Sequence, residues 1–290
     1  MSASKSIQRA ACGLLCIATK RIRRFIPDLA SCEKHRHGGL HVCGATGSTG
    51  SGAAFAGRVA DPVIMIEGTM GETAVAVQVR SNVDHWKQMQ ESDYFETHPC
   101  YKGLRDFGGE TDVSFIEWFT KLTPTMRVVV IGCGYGRETA HLAPQVGHVY
   151  GVDVSAVILD KAVRYLGEKD ITNFTPVLVE RYKTEIPEAI DLVFSVVVMQ
   201  HLTRDLVFDY FSTLRAKLSE NGIFVVQFLE ELVPGAEEQD AELRVYEPSV
   251  SWTIAQLYQL SAQSGVKVRE VRTIQVTPAA LWHWACFSKT

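Results

Sequence analysis

Val128-Val-Val-Ile-Gly-Cys-Gly-Tyr-Gly136 decides how the rest of the chain is read. Four β-branched residues in succession predict a strand buried on both faces. Glycines come next at alternate positions, Gly132, Gly134 and Gly136, and Arg137-Glu-Thr-Ala-His-Leu142 then takes up helical spacing. Glycine lets the backbone turn sharply and lets a ligand come close where a Cβ would otherwise stand. The N–H groups that open the next helix favour polar or anionic groups at the same place. The three glycines therefore predict the floor of a nucleotide-type pocket at the carboxyl end of a parallel strand.

A bland tight turn would use the same residues, so the next strand has to decide between the two. His148-Val-Tyr-Gly-Val-Asp153 reads as that strand, and it ends in an acid 21 residues after Gly132. A carboxylate there can accept hydrogen bonds from both ribose hydroxyls of an adenosine. The other reading makes Asp153 a cap for the next helix, a task Ser155 fills as well or better. The dinucleotide fingerprint G-x-G-x-x-G is not met, because Arg137 stands where its third glycine belongs.

Val128–Gly136, Val149–Asp153 and Asp191–His201, in that order, resemble motifs of the class I S-adenosylmethionine-dependent methyltransferases. The resemblance runs from about Trp86 to the C-terminus. It implies a Rossmann-like, doubly wound α/β fold with a mostly parallel seven-stranded sheet and an antiparallel edge. It also implies S-adenosyl-L-methionine as cofactor, with contacts from Gly132, Cys133, Gly134, Gly136, Asp153, Val154, Glu180, Arg181 and Ser195. Glu180 and Arg181 match by position only, after a third strand over 174–179. One departure stands out: the family often carries Asp or Glu two residues before the first glycine, and this chain has Val130. The cofactor's ammonium group then lacks one usual acidic neighbour.

Outward from these motifs, the spacing predicts a helix over 85–91 and an aromatic-rich segment containing Tyr94, Phe95, Tyr101 and Lys102. In the resembled family such a segment often folds over the cofactor; packing on the domain is the alternative. Phe115, Trp118, Phe119 and Leu122 fall on one helical stripe, which Pro124 ends. Further helices are expected after Ser155, over 205–218 and after Ser251. Strands are expected over 191–198, 223–229, 266–271 and 281–288. A closing pair of strands with no helix between them suggests the antiparallel edge.

Methyl transfer from a sulfonium depends mostly on holding the acceptor in line with the methyl carbon. A base adds to this when the acceptor is a hydroxyl. His201, just after the fourth strand, is the candidate, with a capping or packing role as the alternative. No Asp and Asn cluster suited to magnesium and no Asn-Pro-Pro-Tyr-like motif comes after that strand. Trp252, Trp282, Trp284 and Tyr246 are candidates for an apolar acceptor pocket. A small-molecule hydroxyl or amine acceptor is what remains. Two competitors are a nicotinamide-dependent oxidoreductase and a non-catalytic scaffold that keeps the fold.

With 46% hydrophobic and 21% charged residues, the composition is that of a soluble globular protein. A net charge of −4 and the lack of a basic stripe with aromatics argue against a nucleic-acid partner. No apolar run approaches the roughly 20 residues of a membrane span. Seven cysteines scattered without a framework pattern suggest a reducing compartment, hence the cytoplasm. Residues 1–80 differ from the rest. Their basic start is consistent with organelle targeting or with an inert extension. Cys32, His35, His37, His41 and Cys43 have metal-like composition but not zinc-ligand spacing, so no metal is expected. A Gly/Ser-rich linker over 44–57 and a hairpin over 62–79 complete the extension, and the methyltransferase-like domain is assigned to 81–290.

Overall fold

The computed structural model describes residues 84–92, 109–232 and 250–289. The expectations for 1–80, for Tyr94, Phe95, Tyr101 and Lys102, and for Tyr246 lie outside the described residues. Helix α1 covers 84–91 and helix α2 covers Gly109–Ser114. The alternation then begins with β1 (Arg127–Ile131), the one-turn helix α3 (Thr139–Leu142), β2 (His148–Asp153), α4 (Ala156–Gly167) and β3 (Phe174–Leu178). It continues with the short α5 (Tyr182–Glu185), β4 (Ile190–Ser195), α6 (Arg204–Lys217) and β5 (Leu218–Glu231). Helix α7 (Ile254–Ser264), β6 (Val266–Thr277) and β7 (Ala280–Lys289) close the chain.

The seven strands form one sheet in the order β3-β2-β1-β4-β5-β7-β6. All neighbours are parallel except β7, which runs antiparallel to both β5 and β6. This is the expected doubly wound sheet with an antiparallel edge. The β-branched run of β1 explains its central place. Val129 and Ile131 join one core with Val207, Phe211 and Leu257 of α6 and α7. Val128 and Val130 join a second core on the opposite face with Val113, Phe115 and Ile116. Both faces are thus covered, and the order reverses between β1 and β4, where ligands bind in sheets of this kind.

Four differences from the expected elements bear on the site. Strand β4 stops at Ser195, not Val198, because Val197 takes a left-handed φ of 57° that no strand accommodates. The helix expected from Arg137 shrinks to a single turn, α3, with Pro144 just beyond it. Of the expected 115–122 stripe only a 3-10 turn at Phe115–Trp118 forms, directly after α2, and Phe119 lies beyond it and shares the guanidinium of Arg272 with Trp118. Thr253, not Ser251, caps α7, through a capping box with Gln256; the Ser251 hydroxyl instead accepts from Glu231 N.

Candidate active site

The three glycines of the loop after β1 all lie at positive φ: 68° at Gly132, 53° at Gly134 and 92° at Gly136. They differ in what stands beside them. A Cβ on Gly132 would lie 2.3 Å from Val198 Cγ2, so the loops after β1 and β4 touch there. A Cβ on Gly136 would lie 3.2 Å from Leu166 Cγ of α4. A Cβ on Gly134 would meet nothing within 4 Å. Gly132 and Gly136 thus allow close packing of protein on protein, and Gly134 is the position open to a ligand. Because α3 is a single turn, the loop's own N–H groups, not a long helix dipole, define the polarity here.

Asp153 closes the other side of this loop. Its Oδ2 accepts from Gly134 N at 2.8 Å and its Oδ1 from Val154 N at 2.7 Å. The N–H of Ser155 and the side chain of Gln90 in α1 also donate to it. Burial lifts its pKa from 3.8 to about 6, and those four hydrogen bonds pull the other way. The cap of α4 is Ser155, whose Oγ accepts from Ile158 N. Asp153 is therefore not needed as a cap.

Beyond the loop lies an ion cluster that the motifs alone did not reveal. Arg137 donates to Glu138 Oε1 through Nε at 2.6 Å and to Asp112 Oδ2 through Nη2 at 3.0 Å. Burial pushes Asp112 up to about 7 against the pull of Arg137. The clue available in the sequence was Arg137 standing where a dinucleotide loop has glycine; its partner Asp112, 25 residues away, could not be read from spacing.

After β4, His201 ends a 3-10 turn at Met199–His201 and is 7% exposed. Its ring lies 4.5 Å, centroid to centroid, from that of Trp86 in α1. Gln227 of β5 accepts from Val197 N at 2.8 Å and so holds the left-handed turn after β4.

Residues 129–224 match the family model described as a methyltransferase domain. Over that stretch the chain is similar to methyltransferase domains. No curated protein matches the sequence. Among solved structures, a Leishmania major S-adenosylmethionine-dependent methyltransferase is similar with a TM-score of 0.54 at 17% identity, over 72% of this chain and 82% of its own. The Streptomyces coelicolor geranyl diphosphate C-methyltransferase, solved with S-adenosyl-L-homocysteine, has a TM-score of 0.54 at 11% identity, over 69% and 85%. A cyclase of the 4+2 type has a TM-score of 0.52 at 13% identity, over 62% and 80%. At these identities the likenesses speak to fold, and a fold of this kind carries more than one chemistry.

The remaining expected residues divide by exposure. Cys133 is buried in the core, where burial raises the pKa of its thiol, and the thiol donates to Gly134 O at 3.6 Å. Ser195 is fully buried and its hydroxyl donates to Ile131 O of β1 at 3.0 Å, a bond within the sheet. Glu180 and Arg181 lie on the 3-10 turn after β3, with Arg181 paired to Glu185 at 2.9 Å. Trp282 and Trp284 belong to the same core as Phe115, and Trp252 to the opposite one. They are packing residues, not walls of one acceptor pocket. Among the described residues no group of His, Cys, Asp and Glu is placed to hold a metal, and no helix is long and apolar enough to cross a membrane.

Proposed function

We propose that this domain transfers the methyl group of S-adenosyl-L-methionine to a small-molecule hydroxyl or amine. The observation that carries the reading is the pairing of Asp153 with Gly134: a buried carboxylate meets a loop N–H at the one glycine of the loop with open space beside it. That pairing suits an adenosine, with the ribose diol donating to Asp153 and the rest of the cofactor passing over Gly134. Arg137, Glu138 and Asp112 together offer one guanidinium and two carboxylates, which complements a zwitterionic amino-acid end. They compensate for Val130, where the family often has an acid. The cofactor supplies an electrophilic methyl group on a sulfonium, whose departure leaves a neutral thioether.

The protein's share is then positioning. The loop after β4, turned by Val197 and seated on Gly132, fixes where an acceptor meets the cofactor edge of the sheet. Trp86 and His201 form the aromatic side of that place, with His201 as the base for a hydroxyl acceptor. Val154, Glu180 and Arg181 border the adenosine end by backbone position and by charge.

Calorimetric titration with S-adenosylmethionine, S-adenosylhomocysteine and a nicotinamide dinucleotide tests this reading. Micromolar binding of the first two and none of the third is expected. Preference for the dinucleotide would make the protein an oxidoreductase, and binding of none would leave a scaffold.

A further inference from the structure

We infer that Arg204 is a positioning residue for His201: it clamps the strap of residues 250–252, and the strap fixes the peptide plane that leads into His201. The inference rests on the reading of His201 as the base for a hydroxyl acceptor. A peptide unit is planar, so holding its carbonyl also orients the N–H on its other side. The unit joining Gln200 to His201 is held at both. Val250 N donates to Gln200 O at 2.6 Å, and His201 N donates to Val198 O at 2.8 Å. Further along the strap, Trp252 N donates to Leu229 O at 2.7 Å, and the Ser251 hydroxyl accepts from Glu231 N at 3.0 Å. The strap therefore ties the turn that carries His201 to the carboxyl end of β5.

Arg204 is the first residue of α6. Its Nη2 donates to Ser251 O at 2.9 Å, and its guanidinium stands 5.2 Å from the centre of the Trp252 ring. Bonds and chain then close a ring: Gln200 to Val250, along the chain to Ser251, across to Arg204, and back through His201 to Gln200. Gln200, Val250, Ser251 and Trp252 are buried, so water does not compete for these bonds. The helix itself does not need the Arg204 side chain. Thr203 caps α6 by accepting from Leu206 N, and a cation in the first turn opposes the helix dipole. Trp86 meets the His201 ring at 4.5 Å, so a turn that drifts carries the imidazole off this partner. Placement matters for a base, because a shift of about 1 Å can cost about a hundredfold in rate.

The test reads His201 by nuclear magnetic resonance in the full chain at about pH 8, where an ordinary imidazole is neutral. His201→Gln identifies the signal of its Hε1 proton. The Trp86 ring shifts that signal, and Trp86→Leu gives its position without the ring. Arg204→Met keeps the length of the side chain but neither donor nor charge, and should lose most of the Trp86-dependent shift. Arg204→Gln, too short to reach the strap, should do the same and carries the test if the first variant does not fold. Arg204→Lys keeps a donor for Ser251 O and a cation for Trp252, and should retain most of the shift. A lower melting temperature with the shift intact would make Arg204 a packing residue of α6 and overturn the inference. Equal loss in all three variants would trace the effect to disturbed packing and overturn it as well. Titration of the wild type with S-adenosylhomocysteine runs alongside. If it does not bind, the methyl-transfer reading falls and the inference goes with it. Wild-type binding with a His201 signal that ignores Arg204 sinks the inference alone.

Discussion

The N–H of Gly134 donates to Asp153 Oδ2 across 2.8 Å, so the turn after β1 and the end of β2 act as one unit. Charge-assisted hydrogen bonds to a carboxylate are worth roughly 1.5–3 kcal/mol each. Asp153→Ala should therefore weaken S-adenosylhomocysteine binding by well over tenfold, since about 1.4 kcal/mol is a factor of ten. Calorimetry on the purified variant measures this. Retained affinity would place the ribose elsewhere.

The glycines of the loop should separate by mutation. Gly132→Ala drives a Cβ to 2.3 Å from Val198 Cγ2 at a backbone φ of 68°. Overpacking and strain together should cost about 2–5 kcal/mol of stability. Gly134→Val meets no neighbour, so its stability loss should be limited to the left-handed backbone, about 1–2 kcal/mol. Its loss of cofactor binding should be complete. Melting curves and titrations on the two variants give opposite rankings if this division is right.

The parts of this arrangement legible in the sequence were those fixed by short-range pattern. The β-branched run, the alternate glycines and the acid ending β2 specify a buried central strand, a turn and a polar group at known offsets. A mostly parallel seven-stranded sheet with an antiparallel edge was expected from the resemblance and from the missing helix between β6 and β7, whereas the strand order came from the structure. What escaped depended on contacts distant in the chain. Gln90 meets Asp153 across 63 positions, and nothing in α1 marks a glutamine as a partner for that acid. Ser195 looked like a ligand residue at the end of β4, yet its hydroxyl is used by β1. Val197 continues a run of β-branched residues, which favours strand, but the contact of its loop with Gly132 overrides local preference.

The first 80 residues are proposed to be dispensable for cofactor binding, because the composition changes near Ser81 and α1 begins just after it. A chain starting at Ser81 should fold and bind S-adenosylhomocysteine within about threefold of the full chain. A loss of tenfold or more would show that the extension contributes to the site.

Val197 holds a left-handed conformation that costs a β-branched residue about 1–2 kcal/mol. Val197→Gly should relieve that strain and, after the entropy glycine adds to the unfolded chain, raise stability by up to about 1 kcal/mol. The turn would also lose stiffness, and with it the seat of Val198 against Gly132. A higher melting temperature with weaker cofactor binding is expected. Unchanged binding would mean the turn is strained for packing alone.

Acidity should move binding and stability in opposite directions at Asp153. Burial sets its folded pKa at about 6, above the value of 3.8 for a free carboxyl. Ribose hydroxyls donate to the ionised form, so affinity should hold above pH 6 and fall as the pH drops through it. For folding the sign is reversed. Between 3.8 and 6 the folded protein binds this proton more readily than the unfolded chain, so the contribution of Asp153 to stability grows as pH falls through that window. Asp112, lifted to about 7 by burial, adds to the stability effect with the same sign. Asp153→Asn cannot ionise, so its weakened binding should show no inflection near pH 6. Titrations from about pH 5 to pH 8 on wild type and this variant decide the matter. An inflection that persists in Asp153→Asn would assign the proton to another group and remove Asp153 from the centre of the cofactor site.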